Sequence, residues 1–182
     1  IKGTKKRGKN IDEDVFLINS LKNSIKEKSE NHMIVDLVRN DFSRIAKKGS
    51  VKVTELSKIN TYKNIHQMVS TIEAQIENDI FFSKILKSTF PMGSMTGAPK
   101  IKTMKIIDEL EETSRGIYSG AIGYIDPNKN FDFNVVIRTI IYDDKLSKIS
   151  VNVGSGITFK SDPKDEYEEC LTKIDALKRS LS

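Results

Sequence analysis

The sequence predicts an α+β fold built on an antiparallel sheet, and three observations carry that expectation. Apolar residues recur at three- and four-residue steps between positions 11 and 46, β-branched and apolar segments separated by short polar turns fill positions 118 to 153, and a capped, charged helical stretch closes the chain. With 37% hydrophobic and 30% charged residues, and only 10 Gly and 4 Pro in 182 residues, the composition excludes a disordered chain. One core, hence one domain, is expected for this length.

Each element follows in order. Val15, Leu17, Ile18, Leu21 and Ile25 predict an amphipathic helix over 11–28. A second helix is expected over 29–46, with Met33, Ile34, Leu37, Val38 and Ile45 inward and a stop near Gly49. Alternation at Val51 and Val53 predicts a strand over 50–58. The segment 62–76 suits a helix by its Ile65, Met68, Val69 and Ile72 spacing and a strand by its β-branched content; the strand is the adopted reading. A short helix over 78–87 leads into a loop of small residues ending at Ala98, after which Pro99 fits the first turn of a helix to about 112. Three strands, 118–125, 131–142 and 147–153, are joined by turns too short for anything but antiparallel hairpins. Asp162 caps a last helix that opens at Pro163 and runs to the end of the sequence.

Charge and cysteine content narrow the function classes. The formal charge of +5 comes from lysines spread along the chain beside acids, as in Lys26-Glu27-Lys28, with no basic block interleaved with aromatics. Nucleic-acid binding is therefore not expected, although a mildly positive surface favours anionic substrates. No apolar run approaches the ~18 residues of a membrane span, and no membrane association is expected. The single cysteine, Cys170, forms no internal disulfide and supplies no thiolate metal site, which fits a reducing cytoplasm.

Several residues are candidates for chemistry. Lys2 precedes a Gly3-Thr4 turn, and Gly93-Ser-Met-Thr-Gly-Ala-Pro-Lys100 lets backbone amides approach a ligand, although it lacks the Gly-Lys-Ser/Thr ending of a nucleotide phosphate loop. Glu27 and Glu30, and again Glu166 and Glu169, place two carboxylates on one helical face. Such pairs suit a hard cation like Mg²⁺, and they equally suit a solvated helix surface. Arg138 is expected inside the apolar strand Val135-Val-Ile-Arg-Thr-Ile140, where a guanidinium requires a partner: a bound carboxylate or an internal acid. Tyr118 is a donor to the same anion or a packing residue, and Val153-Gly-Ser-Gly156 is an amide-rich turn or a plain strand end. His66 is an acid, a base, an orienting donor or a structural histidine; His32 offers no second partner for a Ser/His/Asp set.

Ordered segments of the chain resemble the C-terminal part of the chorismate-utilising enzymes. They are Glu30-Asn-His-Met-Ile-Val-Asp-Leu-Val-Arg-Asn-Asp41, Gly49-Ser-Val51, Pro91 to Lys100, Arg115-Gly-Ile-Tyr-Ser-Gly-Ala-Ile-Gly-Tyr124, Asp132 to Thr139, Gly154-Ser-Gly156 and Glu166-Tyr-Glu-Glu169. The opening Ile-Lys-Gly-Thr resembles the aminodeoxychorismate synthase branch, whereas anthranilate synthases typically carry alanine in place of Lys2. The resemblance implies an α+β chorismate-binding domain, Mg²⁺ held by Glu30 and Glu169 with Glu27 and Glu166 in support, and Lys2 as nucleophile toward the ring of chorismate. It also implies that Arg138 and Tyr118 hold the enolpyruvyl carboxylate, that Gly3, Thr4, Gly154, Ser155 and Gly156 take the ring end, that His66 lies near the substrate, and that Ser94 occupies a small-hydroxyl position of the substrate loop. Ammonia is expected from a separate glutamine amidotransferase subunit, the product being 4-amino-4-deoxychorismate for para-aminobenzoate and folate. Anthranilate, isochorismate and salicylate synthases are the near alternatives; a non-catalytic anion-binding module is the distant one. Asn31 departs from a frequent histidine, and Phe159-Lys160-Ser161 departs from a pattern with Asp before Ser. Because the family carries a long region before the Lys2 motif, including a glutamate expected as general acid, residues 1–182 are expected to be part of a larger domain and inactive alone.

Overall fold

The computed structural model describes residues 1–159 and 161–178. Lys160 and residues 179–182, over which the last helix was expected to continue, lie outside the described residues. The chain divides into two compact units, one spanning Ile1–Glu111 and one beginning at Glu112. Helices and antiparallel sheets make up both, as the sequence predicts.

The first unit opens with a short strand, β1 (Thr4–Lys6), absent from the sequence-based expectation. Helix α1 (Ile11–Asn23) starts where Asn10 accepts a hydrogen bond from the Glu13 amide, and helix α2 (Ile25–Ser43) starts one residue after α1 stops. Ser24 makes that break. Its extended backbone ends α1, its amide donates to the Leu21 carbonyl, and its hydroxyl accepts from the Glu27 amide. The expected boundary at residue 28 was thus four residues late, because apolar spacing runs straight through a junction made by one capping serine.

Strands β2 (Lys52–Thr61) and β3 (Ile65–Glu73) form an antiparallel hairpin, and β1 adds to the free edge of β3 in the order β1-β3-β2. The strand reading of 62–76 is the correct one: His66 and Met68, two apart and so on one face, are both fully buried. Leu21, Val35, Ile45 and Met68 are the buried apolar residues of this unit. Helix α3 (Phe82–Thr89) leads to a 3₁₀ turn at Gly93–Met95, and helix α4 (Lys100–Leu110) begins directly after Pro99.

In the second unit the expected strand 131–142 is broken. Strands β4 (Ala121–Ile125) and β5 (Phe131–Val135) pair antiparallel, as do β6 (Ile140–Asp143) and β7 (Lys148–Val151), with an irregular link at 136–139. Arg138 sits in that link at φ 51°, a left-handed conformation incompatible with a strand. Four strands therefore replace the three expected. Helix α5 (Pro163–Lys178) opens as predicted, with Asp162 accepting from the amides of Lys164 and Asp165.

Candidate active site

Lys2 is placed by the edge strand. Its amide donates to the Met68 carbonyl at 3.0 Å, and the Met68 amide donates back to the Gly3 carbonyl at 3.0 Å, which extends the β1–β3 ladder past its last regular pair, Thr4 with Gln67. Gly3 adopts φ +92°, which glycine reaches without strain. A Cβ here would lie 2.9 Å from Glu27 Oε2 and 3.2 Å from the Leu21 side chain, so the position also has no room for one. This close approach sends the Lys2 side chain along α2, where its Nζ lies 3.2 Å from Glu30 Oε2. Both side chains are partly buried. Glu27 and Glu30 therefore flank the Lys2-Gly3 segment as two hard-oxygen donors from one helical face, a donor set suited to Mg²⁺. Among the described residues no group of three or more His, Cys, Asp or Glu side chains converges on one point.

His66 lies in the same unit, in a buried network. Its Nδ1 is 2.9 Å from the Thr61 hydroxyl and its Nε2 is 2.9 Å from Asp14 Oδ1. Both ring nitrogens are occupied and the ring is fully buried, so of the roles left open by the sequence this geometry favours the orienting one. Asp14 in turn accepts from Arg7 Nε and Nη2 at 2.9 and 2.8 Å and from the Gly8 amide at 2.7 Å. Asn31, beside Glu30 and buried, accepts from Ser70 at 2.5 Å and from Ser57 at 3.4 Å, which ties α2 to the hairpin.

The small-residue loop packs farther along α2. Gly93 stands against Leu37, seven residues and so ~10 Å beyond Glu30 on the same helical face. Ser94 is exposed beside it, and Thr4 is exposed on β1. Lys100 Nζ reaches back to Asp41 Oδ2 at 2.5 Å, an ion pair with side chains only 10% and 6% exposed. A cleft of about 600 Å³ lies between the second half of α2 and residues 98–101, with this pair in its wall. Sequence reasoning missed Asp14, Arg7 and the Asp41–Lys100 pair. The last had a signal, because both residues end segments that carry the resemblance.

The second unit gathers its own candidates. The Tyr118 hydroxyl lies 2.7 Å from where a Cβ on Gly154 would stand, so the absence of a side chain there admits the phenol. The Ser155 hydroxyl donates to Glu166 Oε2, Lys173 Nζ donates to the Gly154 carbonyl at 2.8 Å, and Lys173 pairs with Glu169 at 2.6 Å. Residues 154–155, Glu166 and Glu169 of α5, and Tyr118 thereby form one cluster. Gly156 follows at once, its carbonyl receiving the Ser161 hydroxyl at 3.4 Å. Arg138 is exposed, which corrects the expectation of a guanidinium buried in an apolar strand, and it has no ion-pair partner among the described residues.

The first unit thus sets a lysine on a glycine turn against Glu27 and Glu30, and the second ties a glycine-serine loop to Glu166 and Glu169, within an α+β chain. The sequence profile of the chorismate binding enzymes matches residues 1–179. The aminodeoxychorismate synthase component 1 of Bacillus subtilis is 41% identical over 181 residues, covering 100% of this chain and 38% of that protein. The chloroplastic aminodeoxychorismate synthase of Arabidopsis thaliana is 47% identical over 176 residues, covering 97% of this chain and 19% of that protein. Anthranilate synthase component 1 of Aquifex aeolicus is 41% identical, covering 100% of this chain and 36% of its own length. Among solved structures, anthranilate synthase component I of Streptococcus pneumoniae superposes with a TM-score of 0.77 at 33% identity, over 91% of this chain and 38% of that one. The chain belongs to the chorismate binding enzyme family. It spans between 19% and 38% of the length of these curated relatives.

Proposed function

We propose that the complete protein converts chorismate and ammonia into 4-amino-4-deoxychorismate, with Lys2 as nucleophile. The observation that carries this reading is the placement of Lys2: a lysine in Ile-Lys-Gly-Thr, locked to β3 by two backbone hydrogen bonds and directed along the carboxylate face of α2. Relatives bearing the name aminodeoxychorismate synthase match 95% to 100% of the chain at 41% to 47% identity, which supports the same branch.

The neutral Lys2 amine attacks ring carbon C2. The C2–N bond forms, both ring double bonds shift by one position, and the C4–O bond breaks, the hydroxyl leaving as water with the proton that the attacking amine gives up. Ammonia then adds at C4 and gives up a proton, both double bonds shift back, and the C2–N bond breaks to return the protonated lysine amine. Arg138 and Tyr118 bind the enolpyruvyl carboxylate through charge-assisted and neutral hydrogen bonds. Amides and hydroxyls of Gly3, Thr4, Gly154, Ser155 and Gly156 orient the ring end, Ser94 lines the substrate loop, and His66 holds the strand beside Lys2. Glu30 with Glu27, and Glu169 with Glu166, are the residues that would hold Mg²⁺, which would neutralise a substrate carboxylate and so ease departure of the hydroxyl. Ammonia comes from a glutamine amidotransferase subunit, and the reaction takes place in the cytoplasm. No helix of the described residues is long and apolar enough to cross a membrane.

The second reading is anthranilate synthesis, favoured by the 41% identity to the Aquifex aeolicus enzyme. Product analysis of the complete protein with chorismate, Mg²⁺ and ammonium separates them. Release of 4-amino-4-deoxychorismate by wild type and its loss in Lys2→Ala is the expected result, whereas anthranilate and pyruvate from both overturn the assignment.

A further inference from the structure

Lys2 is held at one end only by the backbone bonds to Met68, and β1 beyond it has three residues. An edge strand that short has little to keep it paired, because three residues supply few ladder hydrogen bonds against fraying. At its other end the Arg7 amide donates to the Asn64 carbonyl at 3.2 Å, and side chains add to that single backbone bond. Immediately after β1, Arg7 donates through Nε and Nη2 to Asp14, and its Nη1 donates to the Tyr62 carbonyl at 3.0 Å in the β2–β3 turn. The Gly8 amide donates to the same carboxylate at 2.7 Å. The same Asp14 oxygen, Oδ1, also meets Nε2 of His66 in β3, the residue paired with Lys5 across the ladder.

We propose that Asp14 is a positioning residue that holds Lys2 in place by clamping the outgoing end of β1 to α1, to the hairpin turn and to His66. The inference rests on Lys2 being the nucleophile. One carboxylate in the first turn of α1 takes hydrogen bonds from the residues that follow β1 and from His66 of β1's partner strand, and a carboxylate only accepts. His66 Nε2 therefore carries its proton toward Asp14, and in the neutral ring Nδ1 accepts from the Thr61 hydroxyl. The imidazole is fixed in one orientation and one tautomer, and it pins β3 where β1 must lie. Arg7 holds the Asp14 carboxyl charged, so the clamp stays closed throughout the neutral range. With β1 held at Lys2-Gly3 by β3 and at Arg7-Gly8 by Asp14, the intervening residues have no slack to move the nucleophile.

Asp14 touches neither Lys2 nor Glu30, so its loss is expected to act through geometry. In the complete protein, Asp14→Ala should lower kcat about tenfold or more while KM for chorismate stays within about twofold, since misplacement of a reacting group slows the step without removing the anion contacts. Amide hydrogen exchange gives a reading independent of chemistry: the Lys2 and Met68 amides should exchange at least about tenfold faster, and the α2 amides at the wild-type rate. Arg7→Ala, at a more exposed side chain, is expected to move both measurements the same way by a smaller factor and to carry the test if Asp14→Ala does not fold. Unchanged exchange at Lys2 and Met68 in Arg7→Ala, a loss explained by KM alone, or a loss of protection that spreads to α2 overturns the clamp. A fully active Lys2→Ala variant refutes the nucleophile instead, and the exchange result still decides whether Asp14 holds the strand.

Discussion

Lys2 Nζ lies 3.2 Å from Glu30 Oε2, so the lysine proposed as nucleophile and a carboxylate proposed as metal ligand share one contact. Glu30→Gln keeps the size and removes the charge. In the complete protein it should raise the Mg²⁺ concentration for half-maximal activity about tenfold or more, the usual scale for disturbing a metal's carboxylate shell, and Glu27→Gln should do so by less. Magnesium titration of activity, with manganese binding followed by electron paramagnetic resonance, checks it. Equal affinity in wild type and Glu30→Gln removes Glu30 from the metal site.

Leu21 is fully buried and stands under Gly3. Leu21→Ala should destabilise the protein by about 2–5 kcal/mol, the range for emptying a buried leucine site, seen as a lower thermal midpoint. Leu21→Met, which conserves volume, should cost less than about 1.5 kcal/mol. An Ala variant as stable as wild type would mean that the α1–α2 junction does not support the Lys2 turn.

Helix existence and the strand character of 62–76 were legible because periodicity reports which face is buried, and the His66–Met68 pair obeys a period of two. The Ser24 junction was not read, although Ser24-Ile-Lys-Glu27 has the spacing of a helix-capping box; apolar spacing continues across it and masks the change of axis. β1 was illegible because three polar residues, Thr4-Lys-Lys6, have no strand pattern and are ordered by the edge they join. The candidate site was proposed from its motifs. Spacing gave Glu27 with Glu30 and Glu166 with Glu169, but the Asp14 network comes from residues 7, 8, 14, 61 and 66, whose convergence depends on strand register. Arg138 was misplaced for the opposite reason: its neighbours look like one continuous strand, and a single left-handed residue interrupts it.

Asp14 also predicts a pH signature. Hydrogen bonds from the Arg7 guanidinium first, then from the Gly8 amide, with a smaller contribution from His66, hold its carboxyl well below the usual carboxylate range. A carboxyl depressed in the folded state stabilises the fold fully above its unfolded value, about 4, and that contribution fades as pH falls below it toward the folded value. The stability gap between wild type and Asp14→Asn should therefore be constant between about pH 5 and 8 and narrow below about pH 4, where the unfolded carboxyl is protonated. Thermal midpoints of both proteins across that range test it; a gap independent of pH down to about 3 excludes the linkage.

Arg138 tests substrate binding against backbone conformation at one position. It is exposed, lacks an ion-pair partner among the described residues, and sits at φ 51°, where an L-residue is strained by roughly 1 kcal/mol relative to glycine. Arg138→Gly removes the guanidinium and relieves the backbone, whereas Arg138→Ala removes the guanidinium and keeps the strain. If the side chain binds the enolpyruvyl carboxylate, both variants should raise KM for chorismate by a similar factor, about 10- to 100-fold for a lost charge-assisted hydrogen bond. Their stabilities should differ in the other sense, with Gly at or above wild type and Ala about equal to it. Arg138→Lys keeps the charge without the planar fork and should recover only part of the binding. Steady-state kinetics and thermal midpoints on the three variants separate the effects. A KM that follows stability rather than the loss of the guanidinium would assign Arg138 to the break between β5 and β6 and not to chorismate.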